Sequence, residues 1–163
     1  RSVNLIEEIE IEQSGVQNGS TTLQRLISRD VIMKSECDET LLFRIVFQST
    51  VRLLSFQIHS PIKEAFPSTI KLFINSTPLD FDDVEEEDPV QEITLSEDAW
   101  VAEGPTKIEL DPSKFFKVHN LTLFISGNVG DIDETQLDLL EFGGITRSKK
   151  TVVQQGDIDG CSK

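Results

Sequence analysis

Residues 41–75, LLFRIVFQSTVRLLSFQIHSPIKEAFPSTIKLFIN, decide the fold of this chain because they hold its longest run of alternating apolar positions. Within this run, Leu54, Phe56 and Ile58 fall on one side of an extended backbone, whereas odd positions 55–59 are polar. Alternation with a period of two is typical of a β-strand that buries one face. We therefore predict a strand that ends near Ser60.

The same stretch contains two further strand patterns. Positions 41–47 are apolar on both faces, as in a central strand, and the polar tripeptide at 48–50 predicts a hairpin turn into the next strand. After the prolines at 61 and 67, Ile70, Leu72 and Ile74 share a face. Strands with one wet face, joined by a proline-containing connection, indicate an antiparallel β-sandwich.

The rest of the chain continues this pattern. We predict extended segments over residues 90–95, 108–110, 115–126 and 137–145, an irregular segment or short strand over 21–33, and Trp100 at the edge of the core. Gly143 and Gly144 permit a bulge or a tight edge in the last strand. We expect one domain over residues 20–148, preceded by an N-terminal arm, helical or extended, over 1–19 and followed by a flexible tail over 149–163.

The charge balance restricts the partners. The net charge is −14, from 29 acidic and 15 basic residues. An acidic surface repels phosphate backbones and anionic lipids, so we expect neither nucleic acid nor membrane as a partner. The charge is explained either by a basic protein partner or by solubility alone.

Cysteine usage predicts an intracellular protein. Only Cys37 and Cys161 occur, as expected in a reducing compartment. Glycosylation motifs begin at Asn18, Asn75 and Asn120, but the sequence shows no signal-peptide h-region, so we interpret the motifs as chance occurrences.

Catalytic patterns are missing from the sequence. The two histidines, His59 and His119, lie in no recognisable motif, and we expect each to be a solvated strand residue. Cys37 lies between Glu36 and Asp38, whose charges disfavour the reactive thiolate. No nucleophile elbow or phosphate-binding loop occurs. We therefore expect no enzymatic activity and no cofactor.

Two acidic motifs resemble pieces of a calcium loop, Asp131-x-Asp133-Glu134 and Asp157-x-Asp159-Gly160. Neither is followed by the complete set of ligands with a closing bidentate glutamate. Solvated acidic loops explain both motifs, and we predict no metal site.

One acidic run is a candidate partner-binding segment, predicted as a solvated loop or frayed helix. Its acidic residues are Asp82, Asp83, Glu85, Glu86, Glu87 and Asp88. Such a run either docks on a basic partner surface or only keeps the chain soluble, and charge density does not separate these interpretations.

A series of short motifs, in order along the chain, resembles the PITH domain, a module found at the C-terminus of thioredoxin-like proteins and in small stand-alone proteins. The motifs are SECDETLL (35–42), RLLSF with SP (52–56 and 60–61), IKLFIN (70–75), LDF (79–81), PVQ with Leu95 (89–91), KV-x-N with LTLFI (117–125) and GGIT (143–146). They cover roughly residues 20–148.

This resemblance implies an all-β, jelly-roll β-sandwich similar to galactose-binding and discoidin-like domains, without enzymatic activity. It also implies cytoplasmic and nuclear localisation and association with the regulatory particle of the proteasome. We expect a monomer that works as an adaptor or targeting module. Because the chain has no C-x-x-C motif, disulfide reduction is not expected. The alternative is a sandwich that binds carbohydrate or another small ligand, which would require a concave site with converging aromatic and polar groups.

Overall fold

A computed structural model describes residues 14–17, 20–27, 32–35 and 38–146, with side chains described in 32–35, 38–47 and 50–145. The strands are β1 Ser14–Gln17, β2 Ser20–Ile27, β3 Met33–Lys34, β4 Leu41–His59, β5 Pro67–Ile74, β6 Gln91–Thr94, β7 Thr106–Glu109, β8 Val118–Asn128, β9 Gln136–Leu137 and β10 Leu139–Thr146. The described part has one α-helix, α1 Phe81–Glu86, and 3₁₀ turns at Lys63–Ala65 and Glu97–Ala99. At six residues, α1 is far too short to cross a bilayer, which requires about 20 residues.

The 19-residue strand β4 belongs to two layers of antiparallel strands. Its residues 41–46 pair with β8, which continues to β5 and β6. Its residues 51–59 pair with β10, which continues to β2 and β1, while residues 55–58 pair with β7 on the other side. The sheet therefore curls around β4 so that its two halves face each other, and the predicted all-β sandwich is confirmed.

One hydrophobic core joins the two layers. In the first layer, Phe43, Leu123 and Leu72 form a row across three neighbouring strands, and all three are fully buried. In the second layer, the rings of Phe56 and Phe142 face each other with centroids 5.9 Å apart. All five side chains belong to the same cluster. Each such buried side chain contributes roughly 1.5–3 kcal/mol to folding, which makes this core the main source of cohesion.

The predicted hairpin at residues 48–50 is wrong. The chain stays extended from Leu41 to His59, and the polar tripeptide forms an irregularity within β4 instead of a turn. Between Val46 and Val51 the chain advances five positions, while its partner strand advances two, from Asn120 to Val118. The extra residues are accommodated as a bulge at the place where β4 leaves one layer and enters the other.

The set of alternate β4 residues that face the core changes at Leu54. Phe56 and Ile58 are fully buried, as predicted, but Leu54 is only half-buried and Leu53 takes the inward position. The prediction that Leu54 lies on the same face as Phe56 is therefore wrong. A bulge inserts one residue into the strand, and because successive side chains alternate, one extra residue reverses the face that is buried.

Gly143 and Gly144 lie opposite this bulge, so the extra residue is in β4 and not in the last strand, where the two glycines were expected to permit it. Gly143 pairs with Ser55 and Gly144 pairs with Leu53, so that Leu54 is the extra residue on β4. A methyl group on Gly144 would overlap the carbonyl oxygen of Arg52. The close approach of the two backbones therefore requires a glycine at this position.

The two ends of the chain are described only in part. Residues 21–27, the first part of the segment 21–33 that was predicted as irregular or a short strand, lie in β2, which pairs with β10. Within the predicted N-terminal arm, β1 adds an edge strand to β2. Residues 1–13 and 147–163 lie outside the described residues, and so does the whole of the predicted tail over 149–163.

Candidate protein-interaction surface and a buried histidine–aspartate pair

The acidic run folds into α1 because its first turn is capped by its own carboxylates. The Oδ1 atom of Asp80 accepts a hydrogen bond from the backbone N–H of Asp83 at 2.9 Å, and Oδ2 of Asp83 accepts one from the N–H of Asp80 at 3.1 Å. This reciprocal capping box satisfies N–H groups that the helix leaves without partners. The carboxylates of the first turn also lie at the positive end of the helix dipole.

The underside of α1 is apolar and packs on the outer face of the first layer. Phe81 and Val84, three residues apart, are both buried and join a second cluster with Leu42, Phe73 and Phe124. The rings of Phe81 and Phe124 meet edge to face, with centroids 6.1 Å apart. The helix is therefore attached to the sheet at two positions on one face.

The remaining positions of the run face the solvent. All six predicted partner-binding residues are exposed: Asp82, Asp83, Glu85, Glu86, Glu87 and Asp88. We call these six residues the acidic surface. Of the two predicted alternatives, a solvated loop or a frayed helix, the structure shows a capped helix that ends at Glu86, followed by Glu87 and Asp88. That the acidic surface binds a partner stays a prediction.

His59 is buried, so the prediction of a solvated histidine is wrong there. Its Nδ1–H donates to Oδ1 of Asp138 at 2.6 Å, and its Nε2 lies 3.2 Å from the carbonyl oxygen of Ala102. The ring stacks on Trp100 with an interplanar angle of 25° and a centroid distance of 6.3 Å. Only 3% of His59 is exposed, because strand β10 and the loop that contains Trp100 cover it.

Trp100 packs at the edge of the core, as predicted. Its indole Nε1–H donates to the carbonyl oxygen of Ser60 at 2.9 Å, and the half-buried ring contacts the main cluster. The hydroxyl of Ser60 in turn donates to the carbonyl oxygen of Gln136 at 2.5 Å. These contacts join the end of β4 to the loop after residue 99 and to β9.

Among the described residues, no third group completes the histidine–aspartate pair as a hydrolase triad requires. A nucleophile would have to lie beside the second ring nitrogen of His59, but that nitrogen faces the backbone carbonyl of Ala102. His119, which is exposed as predicted, lies near the start of β8, where its Nδ1 is 3.2 Å from Oγ1 of Thr50 in the middle of β4. The described residues thus do not bring the two histidines into one cleft. The geometry of the pair is that of a cohesive contact between distant segments.

Aromatic and polar groups converge around His59, as a site for a small ligand would require. However, His59 and Asp138 are both buried and bond to each other, and the indole N–H of Trp100 is taken by a backbone carbonyl. These polar groups satisfy one another, so they are not presented to a ligand.

The first calcium-loop motif forms an exposed turn after β8. Asp131 and Asp133 are both exposed, and the turn is closed by Asn128, whose side chain bonds to the carbonyl oxygen and the N–H of Ile132, each at 2.9 Å. Among the described residues, no group of three or more histidine, cysteine, aspartate or glutamate side chains converges. The other singled-out residues lie outside the described part: Asp157, Asp159, Cys37 and Cys161.

Sequence reasoning missed the pair of His59 and Asp138. The two residues lie 79 positions apart, and Asp138 comes from the junction of β9 and β10. No local motif connects them. The only signal in the sequence was a histidine and an aspartate in segments that both read as strands.

Comparison with known proteins identifies the family. The family model of the PITH domain matches residues 1–158. The chain is 36% identical over 105 residues to a PITH domain-containing protein of Caenorhabditis elegans, which covers 64% of this chain and 48% of the relative. It is also 36% identical over 119 residues to thioredoxin-like protein 1 of Schizosaccharomyces pombe, covering 69% and 39%.

A third relative agrees with these two. Human PITH domain-containing protein 1 is 36% identical over 103 residues, which cover 63% of this chain and 46% of the relative. The matched part therefore spans about half or less of the length of these relatives. The resemblance inferred from the short motifs is confirmed, and the chain belongs to the PITH domain family.

Proposed function

We propose that this PITH domain is a non-enzymatic protein-interaction module that docks through the acidic surface on a basic face of its partner. The observation that carries the proposal is the support beneath the acidic surface. Phe81 and Val84 attach the helix to the sheet, and the capping box of Asp80 and Asp83 fixes its first turn. The carboxylates of α1 therefore project from a backbone that is already ordered, which lowers the entropic cost of binding.

The partner that we propose is the regulatory particle of the proteasome, with the domain acting as a monomeric adaptor or targeting module in the cytoplasm and nucleus. Membership of the family supports this proposal, because the resemblance to the PITH domain implies the regulatory particle as the partner in thioredoxin-like proteins. One relative of this chain is itself named thioredoxin-like protein 1. The net charge of −14 fits a partner with a basic docking face, since complementary charge accelerates encounter and excludes wrong partners.

The test is binding of the purified chain to purified regulatory particle, measured by interferometry at several salt concentrations. The variant Asp82→Lys/Glu86→Lys reverses two exposed charges of the acidic surface and leaves the capping box intact. We expect it to weaken binding about tenfold, which corresponds to about 1.4 kcal/mol. Most of the loss should appear in the association rate, because complementary surface charges mainly accelerate encounter. Wild-type binding should also weaken as salt rises, because charges at a surface are screened.

The matched control is Glu97→Lys/Glu103→Lys, which changes the net charge equally at exposed positions of another loop. It should bind within about twofold of wild type, since charges more than a Debye length of about 8–10 Å from the contact are screened. Failure of the wild type to bind the regulatory particle would contradict the proposed partner. An equal loss in both double variants would contradict the proposed surface.

A further inference from the structure

A second charged surface lies at the start of β8 and has the opposite sign. Lys114, Phe116, Lys117 and His119 are exposed in the loop after β7 and at the first residues of β8, and Arg52 lies beside them on β4. We call these five residues the basic surface. Phe116 is 49% exposed, which is unusual for a large apolar side chain in this protein.

The one carboxylate in the loop that carries Lys114 and Lys117 accepts hydrogen bonds from within that loop. Asp111 is the only acidic residue among positions 110–120. Its Oδ1 accepts hydrogen bonds from the hydroxyl of Ser113 at 2.7 Å and from the N–H of Ser113 at 3.0 Å. The carboxylate therefore closes its own turn, and the lysines of the loop outnumber it.

The backbone of the basic surface is held in place from both sides. Phe115 is fully buried, and its carbonyl oxygen accepts a hydrogen bond from the N–H of Leu53 at 3.0 Å. On the other side, the Asn75 side chain donates to the carbonyl oxygen of Lys117 at 2.9 Å and accepts from the N–H of His119 at 2.6 Å. Asn75 has a φ of 54°, a left-handed conformation that asparagine tolerates better than most residues. The loop is thus ordered before any partner arrives.

Arg52 is positioned by an aromatic ring. Its guanidinium carbon lies 5.8 Å from the centroid of the Phe116 ring, within the range of a cation–π contact. Its Nε is buried and has no hydrogen-bond partner among the described residues. An arginine held against an aromatic face keeps its charge, and because Nε is buried, a partner's carboxylate would bind the two terminal Nη groups through parallel hydrogen bonds.

We propose that the basic surface binds an acidic segment of a partner protein, whose carboxylates pair with Arg52 and the two lysines while an apolar side chain covers Phe116. The argument is charge complementarity. In a chain with 29 acidic and 15 basic residues, Arg52 contacts the Phe116 ring, and Lys114 and Lys117 lie within two positions of Phe116 in the sequence. Asp111 is the only acidic residue among positions 110–120. The complement of such a surface is negative and partly apolar.

An anionic membrane has the same charge but fits less well. A membrane is an extended plane, and it would also meet the acidic residues that dominate this chain. A short peptide segment senses mainly the charges within a Debye length of about 8 Å. The inference goes beyond the proposed function, because it concerns a different surface and a partner of opposite charge.

The test uses fluorescence anisotropy with a fluorescein-labelled peptide rich in aspartate and glutamate that also carries leucines. Lys114→Glu/Lys117→Glu should weaken its binding about tenfold, since it reverses the charge of both lysines of the basic surface. Phe116→Ala should weaken it at least about fivefold, since it removes the apolar contact. The control Lys34→Glu/Lys107→Glu changes the net charge by the same amount at exposed positions elsewhere and should bind within about twofold of wild type.

The fluorescence of the sole tryptophan, Trp100, reports that each variant is folded. Equal losses in both lysine double variants would overturn the proposal, because they would show only an effect of bulk charge. Binding of wild type to phosphatidylserine vesicles, without binding of the peptide, would assign the surface to a membrane and also overturn it. Asp82→Lys/Glu86→Lys should leave peptide binding intact, which separates this test from that of the acidic surface.

Discussion

The side chains of His59 and Asp138 lie 2.6 Å apart although they are 79 positions apart in the sequence. The backbones of the same two residues are also joined, since the N–H of Asp138 donates to the carbonyl oxygen of His59 at 2.9 Å. This double contact connects the end of β4 with the start of β10. Both side chains are nearly inaccessible to solvent, so neither can replace its partner with water.

Removal of Asp138 should therefore destabilise the protein. We expect Asp138→Ala to lower the free energy of unfolding by about 2–4 kcal/mol, because it leaves a buried imidazole nitrogen without its acceptor. Urea unfolding followed by Trp100 fluorescence measures this change. Asp133→Ala, an exposed aspartate in the preceding turn, should change stability by less than about 0.5 kcal/mol. Similar losses in the two variants would contradict the role of the buried pair.

Gly144→Ala should disrupt the bulge of β4. The added methyl would overlap the carbonyl oxygen of Arg52, and backbone cannot move aside as a flexible side chain can. We expect a loss of about 1–3 kcal/mol, the usual cost of overpacking. The control is Gly104→Ala, whose new methyl would lie 3.8 Å from Cγ1 of Val101, an ordinary contact. A tolerated alanine at position 144 would show that the two strands can separate there.

Asp80→Ala should loosen α1 without unfolding the domain. Loss of an N-cap costs about 1 kcal/mol, and a short surface helix can open locally. The amides of Val84 and Glu87, which donate to the carbonyl oxygens of Asp80 and Asp83, should then exchange about fivefold faster with deuterium. Asp88→Ala, beyond the end of the helix, should leave both rates unchanged. Unchanged exchange in Asp80→Ala would refute the importance of the cap.

Ionisation of Asp111 should make the stability of the protein depend on pH. Hydrogen bonds from the hydroxyl and the N–H of Ser113 lower the pKa of Asp111 below its ordinary value of 3.8. Because the folded pKa is depressed, the stabilisation is complete above the unfolded value and is lost as pH falls through the lower, folded value. Ser113→Ala should raise the pKa of Asp111 in an NMR titration, whereas Ser96→Ala should not. An unchanged pKa in Ser113→Ala would contradict this assignment.

Much of the fold was predictable because period-two alternation survives in the structure. Leu121, Leu123 and Ile125 alternate in the sequence and all face the core. The strand that contains these three residues and the strand that contains Ile70 were both expected. The burial of Phe124 on the opposite face was not predicted, because it depends on α1, which packs there from a distant segment.

The features that were missed depend on pairing between distant segments. Nothing in the alternation of residues 51–59 shows that Leu54 is a bulge, since the cause is the approach of Gly144 from another strand. The polar tripeptide at 48–50 has the composition of a turn, yet continuous pairing with β8 and β10 keeps the chain extended. The exposure of the acidic surface followed from its charge. The burial of His59 did not, because its partner Asp138 comes from the junction of β9 and β10.

Strand β4 donates backbone hydrogen bonds to both halves of the molecule, so neither half is complete without it. Circular permutation or fragment complementation at residues 47–50 would divide the one segment that both halves share. We expect heat or denaturant to melt the two halves together in a single transition, since a half that opened alone would deprive the other of a strand with which it pairs.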